Sequence, residues 1–217
     1  MGKPLRPHPE VLVPDQQLVL DGTKPLAQKW RAYLAGGSAL ALQIGHRRSR
    51  DFDWFTKETL PPENLVRDLK ATGLSLAIRR NTVGTLHADV GGVEYSVFRY
   101  RYDLVGPLVE FDGCHLASLS DICAMKLAAI HQRAVKRDYV DLHVLFHRAG
   151  FTLDRALEAW HQKFPQSDPS FALNAMVYFK DVENQPMPEM LIPLTWEQVK
   201  RGLLYVREHG RARGLER

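Results

Sequence analysis

The sequence predicts an α+β fold: a mixed β-sheet with flanking helices over residues 1–113, followed by a helical bundle over residues 114–217. Three observations carry this prediction. The apolar run Tyr33-Leu34-Ala35 leads through two glycines and a short helix-like segment into the alternating stretch Asp51-Phe52-Asp53-Trp54-Phe55. Three more strand-like runs follow, separated by turn residues. Beyond Gly113 the apolar residues recur at helical spacing, and strands are not evident.

The elements follow in chain order. Pro4, Pro7, Pro9 and Pro14 leave the first thirteen or so residues without a predicted element. Asp15 to about Tyr33 has helical apolar spacing, with a break expected near Gly22 and Pro25. Tyr33–Ala35 reads as a buried strand. Ser38 is a good N-cap for a helix from Ala39, which Gly45 closes. In a strand over 51–55, Asp51 and Asp53 share one face, and Phe52 and Trp54 take the other. Pro61-Pro62-Glu63 opens a helix to about Ala71, with Leu65, Val66 and Leu69 on one side and Gly73 after its end. Strands are predicted over 74–79, 83–90 and 93–99. Turns fall at Asn81 and at Gly91-Gly92, the second a tight hairpin.

In the second half Ser118 starts a long helix, with Asp121 as its capping-box-like partner and Cys123, Leu127, Ile130 and Ala134 as its apolar stripe. Further helices are predicted over 138–148 (ended by Gly150), after Thr152, over 170–179, and from Thr195 to about His209.

Composition and missing motifs exclude several classes. No apolar run approaches the roughly 18 residues that a membrane span needs, and the N-terminus lacks an apolar signal core, so a soluble cytoplasmic protein is expected. Cys114 and Cys123 have neither zinc nor redox spacing and are expected as buried thiols. There is no P-loop and no Gly-x-Ser-x-Gly elbow. The net charge is +4, and Lys200, Arg201, Arg207, Arg211, Arg213 and Arg217 crowd the C-terminal stretch against Glu208 and Glu216. Such a tail suits nucleic acid or an acidic partner, or is a solvated helix end.

The chemistry concentrates at 36–53. Glycines let backbone approach a ligand, and a helix start offers free N–H groups to a phosphate. Gly36, Gly37 and Ser38 therefore read as a phosphate cradle. Two carboxylates on one strand face repel each other unless a cation lies between them, and hard oxygen ligands favour magnesium. Asp51 and Asp53 thus read as a metal pair. Arg47 and Ser49, between cradle and pair, join the constellation as nucleotide-binding candidates.

Elsewhere, Lys126 lies on the shoulder of an apolar helix face, where it must snorkel to water or meet a buried anion. Asp138 and Asp141 share a helical face beside Leu142 and Leu145 and need partners: Arg133, Lys136, Arg137 or a ligand. His143 and His147 have ligand-like spacing but lack the glutamate of His-Glu-x-x-His, and are expected to be packing or surface residues.

The runs Leu-Ala-Gly-Gly-Ser-Ala-Leu-Ala-Leu…His-Arg-x-Ser-x-Asp-x-Asp-x-Phe at 34–55 and Ser-Leu-x-Asp-Ile-x-Ala-x-Lys-Leu-x-Ala-Ile…Arg-x-x-x-Lys-Arg-Asp-Tyr-x-Asp-Leu at 118–142 resemble the AbiEii/AbiGii toxin family of nucleotidyltransferases. The resemblance implies a DNA-polymerase-β-like nucleotidyltransferase domain followed by a helical bundle. It implies that Gly37 and Ser38 hold an NTP triphosphate, that Asp51 and Asp53 bind Mg2+, and that Lys126 contacts nucleotide phosphate. Asp138 or Asp141 would complete the site. Members act as toxins beside a DNA-binding antitoxin, and some add nucleotides to the acceptor end of tRNA. The implied activity is transfer of NMP to an RNA, tRNA first, or to a protein hydroxyl. The rival reading is a non-catalytic nucleotide- or RNA-binding module on the same fold.

One position departs from the superfamily pattern. A third carboxylate is usual on a later central strand, and here the aligned residue is Ser96. Glu94 on the same face, or Asp89 on the preceding strand, are the substitutes in reach, or the third acid is absent.

Overall fold

The structure, a computed structural model, describes residues 7–212. It separates into two compact units. One takes in the chain up to Tyr102 together with Pro107–Ala117, and the other takes in Asp103–Gly106 and the chain from Ser118.

The first unit holds helices α1 (Pro14–Lys29), α2 (Gly36–Ile44) and α3 (Pro62–Lys70). Its strands are β1 (Tyr33–Ala35), β2 (Asp51–Thr56), β3 (Leu76–Thr82), β4 (Thr85–Val90), β5 (Val93–Arg99), β6 (Val109–Phe111) and β7 (Cys114–Leu116). They form one mixed sheet in the order β3-β4-β5-β2-β1-β7-β6. The pairs β2–β5 and β1–β7 are parallel and the others antiparallel.

Strand alternation gives the sheet two unlike faces. Phe52, Trp54, Leu86, Ala88, Val90, Tyr95 and Val97 are buried on one, where Val19 and Leu20 of α1 and Leu65 and Leu69 of α3 also lose their exposure. The other face presents Asp51, Asp53, Phe55, His87, Asp89, Glu94, Ser96 and Phe98, each partly or fully exposed.

Several elements differ from the sequence reading. Helix α1 runs through Pro25 without a break, since burial of Val19, Leu20 and Ala27 outweighs one missing N–H bond. Helix α2 begins at Gly36 with Ala35 as N-cap, so Ser38 lies inside its first turn rather than before it. Asn81 stays in β3, and the turn is made after it, at Val83-Gly84. Strand β7 lies past Gly113, where no strand was expected. It pairs Leu34 with Leu116 and seats Ala117 N on Leu34 O at 2.8 Å. Three residues are too few for periodicity to register. Cys114 and Cys123 are buried free thiols, and burial pushes them up to about 11 and about 12 respectively.

The second unit is helical: α4 (Leu119–Arg133), α5 (Lys136–His147), α6 (Leu153–Lys163), α7 (Ser170–Ala175) and α8 (Trp196–His209). The hydroxyls of Ser118, Thr152 and Thr195 cap α4, α6 and α8 as their sequence positions predict. Ile122, Cys123, Leu127 and Ile130 of α4 enter a core with Leu142 and Leu145 of α5 and Val199, Leu203 and Val206 of α8. In the basic C-terminal stretch Lys200 is paired with Glu183 and Glu197 at 2.9 and 2.7 Å. Arg213 and Arg217 lie outside the described residues. Among the described residues no helix is long and apolar enough to cross a membrane.

Candidate active site

The predicted constellation of the first unit forms one cluster, built where β1 turns into α2. Gly36 takes a left-handed φ of 67°, which lets the chain leave β1 and enter the helix directly. A Cβ at Gly36 would lie 3.0 Å from Asp53 Oδ2, and one at Gly37 would lie 2.5 Å from Arg47 Nη2 and 2.7 Å from Ser49 Oγ. The start of α2 therefore presses backbone against a carboxylate, a guanidinium and a hydroxyl.

Each neighbour is held in turn. Arg47 is only 2% exposed and donates to Arg48 O at 2.8 Å. Ser49 Oγ donates to Asp51 Oδ1 at 2.8 Å. Ser38 Oγ donates to the Asp51 carbonyl, tying α2 to β2. A hydroxyl has one proton to give. In this arrangement Ser38 spends it on the strand and has none left to give elsewhere.

The register of β5 sets two residues beside the carboxylate pair. Asp53 pairs with Ser96 and Asp51 with Glu94. Glu94 reaches outward to Arg79 at 2.9 Å, and Asp89 accepts the Gly92 N–H at 3.0 Å. Ser96 Oγ lies 3.0 Å from His87 Nδ1. Across the open face one row therefore reads Asp53, Ser96, His87, Arg80. Among the described residues no three acids, histidines or cysteines converge on a metal position. His87 went unremarked in the sequence, although the signal was present. A two-residue hairpin at Gly91-Gly92 pairs Val90 with Val93, and counting outward sets His87 opposite Ser96.

The second-unit candidates also meet. Lys126 Nζ lies 2.6 Å from Asp138 Oδ1 and 2.5 Å from Asp141 Oδ2, and both carboxylates are fully buried. Arg133 reaches Asp138 Oδ2 at 3.2 Å. The lysine on the apolar shoulder thus meets buried anions. Lys136 turns away to Glu183 O at 2.9 Å and over the Trp196 ring at 4.7 Å. His143 and His147 stack at 4.1 Å against Gly202 of α8, as packing residues. Burial, with His147 and Arg148 adding to it, lowers His143 to about 3.

A mixed sheet that carries paired carboxylates beside a glycine-bounded helix start is the frame of a nucleotidyltransferase, and the comparisons with known proteins place this chain in that class. A family model described as "Nucleotidyl transferase AbiEii toxin, Type IV TA system" matches residues 104–214, just over half of the chain, and the protein belongs to that family. The matched stretch contains Lys126, Asp138 and Asp141, while Asp51 and Asp53 precede it. An uncharacterized protein of Aquifex aeolicus is 34% identical over 171 residues, covering 77% of this chain and 82% of the relative. Two solved structures share the fold. An H. pylori protein described as a nucleotidyltransferase has a TM-score of 0.60 at 21% identity, covering 89% of this chain and 92% of that one. MenT4, a nucleotidyltransferase toxin from Mycobacterium tuberculosis, has a TM-score of 0.53 at 16% identity, covering 88% and 82%.

Proposed function

We propose that this nucleotidyltransferase moves NMP from an NTP to a hydroxyl of an RNA, tRNA first, with Mg2+ held by Asp51 and Asp53. The observation that carries the reading is the closeness of Gly36 to the Asp53 carboxylate, whose Oδ2 lies 3.0 Å from where a Cβ on Gly36 would stand; we read it as a phosphate cradle beside a carboxylate pair. The donor set fits the ion: magnesium is usually held by one or two carboxylates and by substrate phosphates, without a full protein cage. When bound there, a divalent cation supplies charge neutralisation to the phosphates.

The chain's own groups do the positioning. The first N–H groups of α2 hold the pyrophosphate end of the nucleotide. Arg47, packed against Gly37, adds a fixed positive charge, and Ser49 aims Asp51. Lys126 is assigned to a phosphate, oriented by Asp138 and Asp141. We read Ser96, beside Asp53, as the residue in place of a third acid, with His87 of β4 next to its hydroxyl. The family description supports a toxin whose partner is an antitoxin.

The test is incubation with labelled NTPs, magnesium and total tRNA. Label is expected on RNA with the native chain and not with Asp51→Ala/Asp53→Ala. A second reading, nucleotide binding without transfer, draws on Ser96 beside Asp53. Calorimetric binding of Mg-NTP with no labelled product would favour it.

A further inference from the structure

The sheet face that carries Asp51 and Asp53 continues as a run of aromatic rings. Phe55 follows Asp53 on β2, one pleat repeat (roughly 7 Å) further along the strand. Phe98 follows Ser96 on β5, and the register sets the two rings side by side with centroids 5.2 Å apart. Past the end of β5, Tyr100 N donates to Thr56 O at 2.7 Å and keeps the chain against β2. The Tyr100 ring meets Phe55 edge-on at 5.2 Å, and the Tyr102 ring lies 5.1 Å from that of Tyr100. Phe55, Phe98 and Tyr100 are partly exposed, and Tyr102 at the end of the run is 47% exposed. Exposed Arg101 separates the two tyrosines in the chain, and exposed Arg80 stands in the row of Asp53.

Rings that begin beside the carboxylates and open toward solvent, interleaved with cations, match one kind of ligand. Unpaired bases have free π-faces that stack on aromatic side chains, and their phosphates meet Arg. Paired bases in a duplex are already stacked and cannot lie on such a strip. We infer that this strip seats the unpaired 3′ end of an RNA acceptor, with bases on Tyr100 and Tyr102 and the backbone along Arg101. The inference rests on the reading above that the acceptor is RNA, and it names the side chains that grip its end.

The test is fluorescence anisotropy with 5′-labelled RNA hairpins, blunt or with a four-nucleotide 3′ overhang, and full-length protein. The overhang is expected to tighten binding about tenfold, in line with aromatic stacking of a terminal base. Tyr100→Leu/Tyr102→Leu should lose that gain and still bind Mg-NTP calorimetrically like the native chain. Tyr100→Phe/Tyr102→Phe should retain it. On the native chain, 2-aminopurine placed in the overhang should be quenched on binding, a readout that needs no variant. The inference is overturned by equal affinity for blunt and overhang RNA, by unquenched 2-aminopurine, or by a Leu pair that weakens NTP binding in place of RNA binding. A native chain that binds and quenches the overhang without transferring label leaves the strip assigned and removes the transfer reading. A chain that transfers label and is indifferent to the Leu pair does the reverse.

Discussion

Lys163 Nζ lies 2.8 Å from Asp121 Oδ1, and neither side chain has any exposed surface. The same ammonium reaches Asp103 O at 3.0 Å, while the Asp121 carboxylate accepts the Val105 and Gly106 amides at 2.9 and 3.1 Å. One ion pair therefore satisfies three backbone groups and fastens Asp103–Gly106 to α4 and α6. Burial would push the Asp121 carboxyl up, but Lys163, the Ser118 hydroxyl and the Val105 amide outweigh it and hold it below the usual carboxylate range. Removing one partner of a buried pair leaves a bare charge. Lys163→Met is expected to cost about 3–5 kcal/mol in denaturant unfolding. Asp121→Asn in the same chain should recover part of that loss by removing the stranded charge.

Gly37→Ala tests the cradle. The added methyl would meet Arg47 Nη2 at 2.5 Å and Ser49 Oγ at 2.7 Å, both in a buried cluster with little room to move. The expected outcome is a cost of about 1–3 kcal/mol for overpacking. Mg-NTP affinity should drop at least tenfold, measured by calorimetry at a temperature where the variant is folded.

Ser96→Asp would set a third carboxylate beside Asp53. Without metal, three like charges on one face of the sheet repel one another. The melting temperature is expected to fall in EDTA and to recover with millimolar magnesium, because a ligand that binds only the folded state stabilises it. Calorimetry should show tighter magnesium binding in the presence of NTP.

Acid should loosen the helical unit through its histidine pair. Burial, then the neighbouring His147 and Arg148, lowers His143 from 6.5 to about 3, and burial also lowers His147. A depressed histidine is neutral in the folded chain and protonated in the unfolded one, so protons favour unfolding. The stability is complete above pH 6.5 and falls as the pH drops toward 3, by at most about 1.4 kcal/mol per pH unit for one group. Asp121 adds its own loss only below the ordinary carboxylate value of about 4. A denaturant series between pH 7 and 4.5 should therefore slope downward toward acid, and His143→Gln should flatten it.

The sequence by itself determined the parts that depend on near neighbours in the chain. The strand of β2 and its paired acids follow from alternation, the hairpin from Gly91-Gly92, and the starts of α4, α6 and α8 from Ser118, Thr152 and Thr195. It also marked Lys126, Asp138 and Asp141 as charges in apolar helices that need partners. Only tertiary structure decided who those partners are. Lys126 and Asp138 are twelve residues apart on different helices, and nothing local shows that one neutralises the other. Tertiary packing also carried α1 through Pro25 and recruited the three residues of β7 to the sheet, because burial of many side chains outweighs weak local preference. The same holds at the site. Asp-x-Asp was legible as a strand pattern, but which residue stands beside Asp53 is a matter of parallel register between distant strands, and that register put Ser96 there, with His87 carried along by the β4–β5 hairpin.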